Sequence, residues 1–338
     1  MKFSLSRYTG NSMSAGGKAP GDINTFLTAD GWRCAELYTV DGRLQRLANS
    51  VGTLTRLRRE IHPDSDILLV QWPLEISRLL GAARVATLCR KKIVLIHDIN
   101  SLRFFPEDTA RQQAEIALLN AYDAAIVHNR RMEQWLKDNG LTIPTVCLGV
   151  FDYIMADSTS PAPQHGGQGS YSVCFAGNLT KSLFLPAYAK DCRTPLYLYG
   201  IRPDYTLDGS LHYRGCFKPE ELQDAIREDF GLIWDGSSCA SCEGNVGNYM
   251  RYNNPHKLSL YLACGIPVIV WRQAAIADFV AENDVGLVID DLQQIDALLG
   301  ALTPARYQEM LQNVRAVQRR VRSGYYVRTA VEKALALL

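Results

Sequence analysis

The sequence lacks an excess of charge of either sign. Its 338 residues carry 36 lysines and arginines against 35 aspartates and glutamates, which leaves a formal net charge of +1. A protein that grips nucleic acid over its whole surface is strongly basic, so this balance argues against a dedicated nucleic-acid-binding protein. Basic residues nevertheless exceed acidic ones locally, at positions 43–92 and 302–338.

Long hydrophobic runs are also missing. The longest strongly apolar stretch, residues 258–271, is interrupted by Gly265 and Pro267 and is too short to span a bilayer. The first residues, MKFSLSR, lack the apolar core of a secretory signal. Nine cysteines, an odd number, lie mostly beside apolar residues, as buried reduced thiols do. We therefore expect a cytoplasmic protein.

A second cysteine pair of the kind that completes a zinc site is absent. Cys239 and Cys242 form a single C-x-x-C motif with no histidine cluster near it. Because a structural zinc ion needs four ligands, we expect no metal here. The small and polar residues around this motif, at positions 235–251, are instead typical of an active-site loop.

The sequence does contain enough apolar material for two hydrophobic cores. Hydrophobic residues make up 47% of the chain and charged residues 21%, as in ordinary globular proteins. At about 150 residues per domain the length predicts two domains. The segment DSTSPAPQHGGQGS, residues 157–170, has no periodicity and is the predicted linker. We expect domains at residues 1–156 and 171–314.

Short β-branched runs alternate with helical patterns in both halves, which indicates parallel sheets with crossover helices. Strands are predicted at 2–7, 33–38, 66–71, 92–97, 124–128, 145–148, 171–176, 195–199, 231–234, 267–271 and 286–289, and helices at 21–29, 75–88, 109–121 and 131–139. The predicted fold class is α/β, with two Rossmann-like doubly wound domains facing across a cleft. A C-terminal helix, residues 315–338, is expected to return to the first domain.

The sharpest motif is YNNPHKLSLYLACGIP, residues 252–267. Asn254 is a good N-cap, Pro255 suits the first helical position, and Gly265 is placed to end the helix. Lys257 then lies in the first turn, where the helix dipole favours acids instead. A diphosphate at the helix N-terminus would resolve this conflict. The alternative is an ordinary capped helix with a solvated lysine.

A second motif, CFAGNLTKS at residues 174–182, is typical of a strand that ends at Gly177. A glycine there lets a phosphate approach the backbone, with Asn178 and Lys181 beside it. Any turn from a strand to a helix uses such residues, and that interpretation stays open.

Aromatic side chains near two further turns are candidates for the nucleotide pocket. Tyr199 and Gly200 end one predicted strand, and Phe217 precedes a predicted helix start. Either ring would stack on a base while backbone groups read its edge. For each ring alone, a place in the core is the alternative.

The predicted strand at 92–97 is followed by a candidate base. An imidazole or a carboxylate at such a strand end can take a proton from an incoming hydroxyl, and we place Asp98 ahead of His97 in this role. The alternative is that Asp98 caps the next turn through Asn100 or Ser101.

The first predicted strand is followed by a glycine-rich segment, TGNSMSAGGKAPG at residues 9–21. Its glycines do not match the G-x-G-x-x-G fingerprint of dinucleotide-binding proteins. We interpret the segment as a flap that closes over substrate, with Lys18 reaching the ligand.

Together these motifs resemble a known family. GLIWDG (231–236), YNNPHKLSLYLACGIPVIVW (252–271), FAGNLTKS and LYG are similar to motifs of bacterial GT-B glycosyltransferases related to β-1,6-galactofuranosyltransferases and streptococcal adhesin-modifying glucosyltransferases. KAPGD (18–22) and HDINSLR (97–103) extend the resemblance more loosely to the first domain. The resemblance implies a UDP-sugar donor in the C-terminal domain, a saccharide acceptor over the N-terminal domain, and inverting transfer without a metal or other cofactor.

Matching motifs also imply roles for individual residues. Lys181 and Lys257 would neutralise the diphosphate, with Asn254 and His256 beside it. The E-x7-E pattern of many retaining relatives is absent, which favours inversion. Positive charge preorganised at the phosphate would stabilise the leaving UDP.

Several features of the function stay open at this point. The sugar is galactofuranose, glucose or galactose, and the acceptor is a lipid-linked intermediate of lipopolysaccharide or capsule assembly or a glycosylated protein. A UDP-sugar epimerase and a non-catalytic transferase partner are the alternative functions. A homo-oligomer is compatible with the sequence.

Arginine and lysine clusters at 56–59, 90–92 and 315–322 predict peripheral contact with anionic lipid at the inner face of the cell membrane. Ordinary solvated helix faces are the alternative explanation for these clusters.

Overall fold

The computed structural model describes residues 1–8, 17–38, 43–74, 82–155 and 171–338, which form two compact units. Met1–Asp152 and Gly324–Leu338 make up the first unit, and Tyr153–Ser323 make up the second. Each unit holds a six-stranded parallel sheet with helices, so the α/β class and the pair of Rossmann-like domains are confirmed. The predicted linker, residues 157–170, lies outside the described residues.

The first sheet contains the six strands that the apolar runs predicted, each within one or two residues of the expected bounds. They are β1 (Lys2–Tyr8), β2 (Arg33–Tyr38), β3 (Ile67–Trp72), β4 (Lys91–Ile96), β5 (Ala124–Val127) and β6 (Thr145–Cys147). Their order is β2-β1-β3-β4-β5-β6, and the central strands are buried on both faces.

Helices connect these strands along the chain. They are α1 (Lys18–Ala29), α2 (Arg43–Glu60), α3 (Ala82–Val85), α4 (Asn100–Phe104), α5 (Thr109–Leu119) and α6 (Arg130–Asp138). Side-chain caps fix two of the starts, because Asp108 and Asn129 accept hydrogen bonds from the amides of Arg111 and Met132.

The second sheet has the order β12-β11-β10-β7-β8-β9. Its strands are β7 (Val173–Ala176), β8 (Leu196–Tyr199), β9 (Leu211–Gly215), β10 (Phe230–Ile233), β11 (Val268–Trp271) and β12 (Gly286–Ile289). Strand β9 was not predicted. It lies at the sheet edge and exposes His212 and Arg214, so it lacks the apolar run by which buried strands are recognised.

The helices of the second unit are α7 (Leu185–Asp191), α8 (Pro219–Ala225), α9 (Gly244–Tyr249), α10 (His256–Cys264), α11 (Ile276–Asn283), α12 (Ile295–Ala301) and α13 (Pro304–Ser323). Helix α10 ends as predicted, at Gly265 with a left-handed φ of 81°. Its predicted start needs correction. Pro255 is the N-cap with extended backbone and no capping side chain, so Asn254 lies one residue outside the helix.

The return of the chain to the first unit also begins later than predicted. Helix α13 belongs wholly to the second unit, and only α14 (Tyr325–Leu335) returns, after Gly324. The start of α14 is held by Asp152, whose carboxylate accepts hydrogen bonds from the amides of Tyr326 (3.2 Å) and Val327 (2.6 Å).

No helix in the described part of the chain is both long enough and apolar enough to cross a membrane. Several residues of the basic clusters have local partners. Arg90 pairs with Asp64 at 2.8 Å, and Arg322 donates to the carbonyl of Ala263 at the end of α10.

Candidate functional site

Three neighbouring strands of the second sheet reach glycine at their carboxyl ends. Gly177 and Gly200 follow β7 and β8, and Gly215 ends β9. The Gly177 amide donates to the carbonyl of Tyr199 (2.9 Å), and the Gly200 amide donates to that of Gly215 (2.8 Å). A Cβ atom at Gly200 would lie 1.9 Å from the Gly177 carbonyl oxygen, and its φ is +150°, so only glycine fits there. The Lys257 side chain lies against Gly177 and the Phe217 ring against Gly215, so the glycines bring these two side chains close to the sheet edge.

Helix α10 packs closely against the second sheet at Gly231. Gly231 in β10 leaves room for the ring of Tyr261, which a Cβ atom would meet at 2.2 Å. The Tyr261 hydroxyl oxygen accepts a hydrogen bond from the Ala176 amide at 2.8 Å. Lys257, one turn earlier on the same helix face, is thereby placed beside Gly177.

The Lys257 ammonium is a half-buried cation without a carboxylate partner in the described residues. Its Nζ atom lies 4.1 Å from the centroid of the Phe175 ring, and a Cβ atom at Gly177 would lie 3.2 Å from it. Burial lowers the pKa of Lys257, while Asp235 and Cys242 act in the opposite direction. A lysine without an ion pair in the described residues, beside this glycine edge, is an arrangement suited to an anion.

The second predicted lysine occupies a different setting. Lys181 is exposed at the end of a short 3₁₀ turn, Leu179–Lys181. The Asn178 side chain caps this turn by accepting from the Lys181 amide at 3.3 Å, and the Asn178 carbonyl accepts from the Ser182 hydroxyl. Asn178 therefore shapes the turn, and Lys181 extends from it into solvent.

Two predicted neighbours of the phosphate lie where α10 begins. Asn254 is 4% exposed and precedes the helix. The His256 ring packs against Tyr153, with ring centroids 5.0 Å apart. Both residues belong to the same helix start as Lys257, as the motif predicted.

The predicted stacking role of Tyr199 needs correction. Its side chain is 3% exposed, and its hydroxyl oxygen lies 2.9 Å from the Glu228 carboxylate and 3.0 Å from the Ala225 carbonyl. The ring is part of the core and has no open face for a base. Phe217 is half-exposed and lies against Gly215, and Tyr213, also half-exposed, donates to the Gly200 carbonyl at 3.0 Å.

The first unit carries the two candidate bases immediately after β4. Asp98 accepts a hydrogen bond from Arg103 Nη1 at 2.7 Å. In the following turn, the amides of Asn100 and Ser101 donate to the Glu115 carboxylate.

His97 is held by a different set of contacts. Its Nε2 atom lies 2.8 Å from Gln71 Oε1, and its ring stacks on Phe151 with centroids 5.3 Å apart. The His128 ring lies perpendicular to the Phe151 ring, with centroids 4.9 Å apart. Sequence reasoning missed Gln71, although a glutamine inside the apolar strand β3 is itself a signal of a buried polar contact.

The predicted flap is described only in part. Lys18 begins α1 and forms a 2.5 Å ion pair with Asp22 one turn later. The glycine-rich residues 9–16 lie outside the described residues. The C-x-x-C motif places two buried thiols in the loop after β10, and burial raises the pKa of Cys242 to about 12. Within the described ranges no cluster of histidine, cysteine or acidic side chains is arranged to hold a metal ion.

Comparison with known proteins gives matches to both units. Residues 2–150 match the family model for the N-terminal domain of glucosyltransferase 3-like proteins, and residues 173–334 match the model for the C-terminal domain.

Curated relatives cover most of the chain. A β-1,6-galactofuranosyltransferase, WbbI of Escherichia coli, is 28% identical over 87% of this chain and 86% of its own. Glucosyltransferase 3 of Streptococcus gordonii is 28% identical over 77% of this chain and 76% of its own. Among solved structures, Anabaena Alr3699/HepE in complex with UDP has a TM-score of 0.64 at 14% identity, with each chain fully covered.

Proposed function

The chain belongs to the glucosyltransferase 3-like family of glycosyltransferases, and from that premise we propose that it transfers a hexosyl unit from a UDP-sugar to a saccharide acceptor. The relatives named above transfer galactofuranose and glucose, which with galactose are the sugars we propose. The proposed acceptor is a saccharide of cell-surface polysaccharide or glycoprotein assembly.

One observation carries the donor half of this proposal. Lys257 presents a half-buried ammonium, without a carboxylate partner among the described residues, beside the glycine edge of the second sheet. A diphosphate at that edge would meet the ammonium and the amides at the start of α10. We propose that Asn254 and His256 flank the diphosphate and that Lys181, which is exposed, adds a second positive charge.

The charges indicate how the bond would break. Negative charge grows on the β-phosphate as UDP leaves, and cations already in place stabilise that charge without rearrangement. We propose that these lysines make transfer independent of metal. The uracil base is proposed to stack on Phe217, the half-exposed ring beside Gly215.

For the acceptor we propose His97 as the general base, ahead of Asp98. The Asp98 carboxylate is engaged by the Arg103 guanidinium. The His97 Nε2 atom lies 2.8 Å from the Gln71 amide oxygen, and a neutral imidazole can take a proton near neutral pH. A base acting on the acceptor hydroxyl during direct displacement gives inversion at the anomeric carbon.

A transfer assay tests this proposal. Wild-type protein is incubated with each of the three UDP-sugars and a saccharide acceptor in excess EDTA, and the anomeric configuration of the product is read by NMR. We expect an inverted glycoside and free UDP, with Lys257→Ala strongly impaired and Lys190→Ala, an exposed lysine on α7, unchanged. An isomerised UDP-sugar formed without acceptor would identify an epimerase instead.

Membrane contact is a separate proposal with its own test. It rests on the basic residues of α2 and α13, some of which have acidic or carbonyl partners. Sedimentation with vesicles containing anionic lipid, at low and high salt, decides it. Equal recovery in the supernatant with anionic and neutral vesicles would refute it.

A further inference from the structure

The pairing of β7 with β10 stops before the carboxyl edge of the second sheet. In the described part of the chain, β7 pairs with β8 over its whole length, to Ala176, but with β10 only at Val173 and Cys174. Strand β10 itself continues to Ile233 beside β11. The chain also proceeds from β7 and from β10 to opposite sides of the sheet, and at such a point an α/β sheet opens a crevice for ligands.

The Ala176 amide has a side-chain partner where the strand pairing has stopped. Successive amides of a strand point to alternate sides, and those of Val173 and Gly177 donate to carbonyls on the β8 side. The Ala176 amide therefore points to the β10 side. There it donates to the Tyr261 hydroxyl of α10 at 2.8 Å. A tyrosine hydroxyl thus takes the place of a carbonyl of the neighbouring strand.

The Tyr261 hydroxyl is held in this position by the packing of its ring. The side chain is completely buried, and the ring lies against Gly231, where a Cβ atom would come within 2.2 Å of it. A buried amide without an acceptor is costly, so the hydrogen bond from Ala176 resists displacement of the hydroxyl. Helix α10 is therefore tied to the end of β7 at one defined residue.

That residue lies between the two residues that the Lys257 side chain contacts. Lys257 precedes Tyr261 by one turn and shares its face of α10. The Lys257 ammonium lies 4.1 Å from the centroid of the Phe175 ring, and a Cβ atom at Gly177 would lie 3.0 Å from Lys257 Cε. Phe175 and Gly177 flank Ala176 in the chain. The hydroxyl and the lysine therefore engage consecutive residues at the end of β7.

We infer that Tyr261 is a positioning residue for the UDP-sugar donor: by accepting from the Ala176 amide, its hydroxyl fixes α10 against β7 and so sets where Lys257 holds the diphosphate. The inference rests on the proposed function, in which Lys257 meets the diphosphate. Tyr261 is buried and acts through the lysine, without touching the ligand. A cation already held in place needs no rearrangement when the ligand binds, which favours affinity.

Calorimetric titration of UDP into Tyr261→Phe tests the inference. The substitution keeps the ring against Gly231 and removes the oxygen atom, so we expect UDP affinity to fall about three- to tenfold. Tyr188→Phe is the matched control. Tyr188 is equally buried, lies on α7 of the same unit, and its hydroxyl donates to the Thr194 carbonyl at 3.0 Å. This control should lose thermal stability and keep the wild-type affinity for UDP.

A double variant separates positioning from general damage to the unit. If the hydroxyl acts through Lys257, then Tyr261→Phe causes no further loss of UDP affinity once Lys257→Ala is present. A hydroxyl that only stabilises the fold would cause the same fold-loss of affinity in both backgrounds. The four titrations, on the wild type, the two single variants and the double variant, therefore measure the coupling directly.

The lysine also reports its own position in the absence of ligand. Burial lowers the pKa of Lys257, and Asp235 and Cys242, in the loop after β10, act in the opposite direction. ¹³C NMR of the full chain with lysine labelled at Cε follows this pKa, with the signal assigned by its loss in Lys257→Ala. In Tyr261→Phe we expect a less buried ammonium and a higher pKa than in the wild type. Tyr188→Phe should leave the pKa unchanged.

Three results would overturn the inference: wild-type UDP affinity in Tyr261→Phe, an equal loss of affinity in Tyr188→Phe, or additive losses in the double variant. A merely structural role would lower thermal stability in both phenylalanine variants and leave the pKa of Lys257 as it is. If the wild type binds no UDP, the proposed function fails. The lysine titration then still decides the positioning role, which an unchanged pKa in Tyr261→Phe would refute.

Discussion

The Nζ atom of Lys257 lies 4.1 Å from the centroid of the Phe175 ring. The ring attracts the cation through its negative face but carries no charge with which to neutralise it. A carboxylate in the same place would compete with an anionic ligand for the lysine. The contact therefore holds the Lys257 side chain at the sheet edge without forming an ion pair.

Replacing the ring tests this relationship. Phe175→Leu keeps an apolar side chain and removes the cation–π contact, so we expect UDP affinity to fall about three- to thirtyfold by calorimetry. Phe184→Leu is the matched control, because Phe184 is equally buried and packs edge-on against Phe175 at 5.2 Å. Equal losses of affinity in the two variants would show that the effect is general core damage.

Gly177→Ala is expected to weaken UDP binding without unfolding the protein. The added methyl would lie 3.0 Å from Lys257 Cε, the far part of a flexible side chain, and would displace the ammonium. Gly200→Ala provides the contrast, since its methyl would meet a backbone carbonyl and should lower the thermal midpoint. Calorimetry and thermal unfolding of both variants check this, and an unchanged UDP affinity in Gly177→Ala would refute the placement of Lys257.

Asp152 is expected to make the protein less stable as pH rises. Burial raises the pKa of this carboxyl to about 7, from 3.8, despite its two amide donors. Between these values the folded state binds more protons than the unfolded state, so stability falls with rising pH, by about 4 kcal/mol in total. Denaturant unfolding of Asp152→Asn at pH 5 and pH 8 should show its largest loss of stability at pH 5. A pH-independent difference from the wild type would contradict this.

His128 is expected to act in the opposite direction. Its burial lowers the pKa from 6.5 to about 4, so the unfolded state binds more protons in this range and stability rises with pH, by about 3 kcal/mol. In the wild type, the contributions of Asp152 and His128 to the pH dependence of stability have opposite signs and largely cancel below pH 6.5. His128→Gln, which keeps a donor for the Ile96 carbonyl, should leave a stability profile that falls with pH. A profile with the wild-type shape would exclude this role.

The sequence predicted most of the fold because the evidence for it is local. Apolar runs such as Ile93–Ile96 identify buried parallel strands, and Gly265 marks the end of α10 at the predicted residue. The edge strand β9 escaped detection because half of it faces solvent. Helix α10 begins one residue later than predicted, because Pro255 and not Asn254 is its N-cap.

The residues of the candidate site were also predicted only in part. Lys257 and Gly177 were predicted, since each lies in a short motif at an element end. The contact of Lys257 with Phe175 and that of His97 with Gln71 were not predicted. Each joins residues far apart in sequence and depends on how the strands align. Tyr199 was misjudged because the sequence does not show that its hydroxyl meets the Glu228 carboxylate in the core.

The central claim is that Lys257 holds the diphosphate of a UDP-sugar, and calorimetric titration with UDP in excess EDTA tests it most directly. Loss of a charge-assisted contact predicts that Lys257→Ala binds UDP about ten- to hundredfold more weakly than the wild type, with Lys190→Ala unchanged. Wild-type affinity in Lys257→Ala, or no UDP binding by the wild type, would contradict the account.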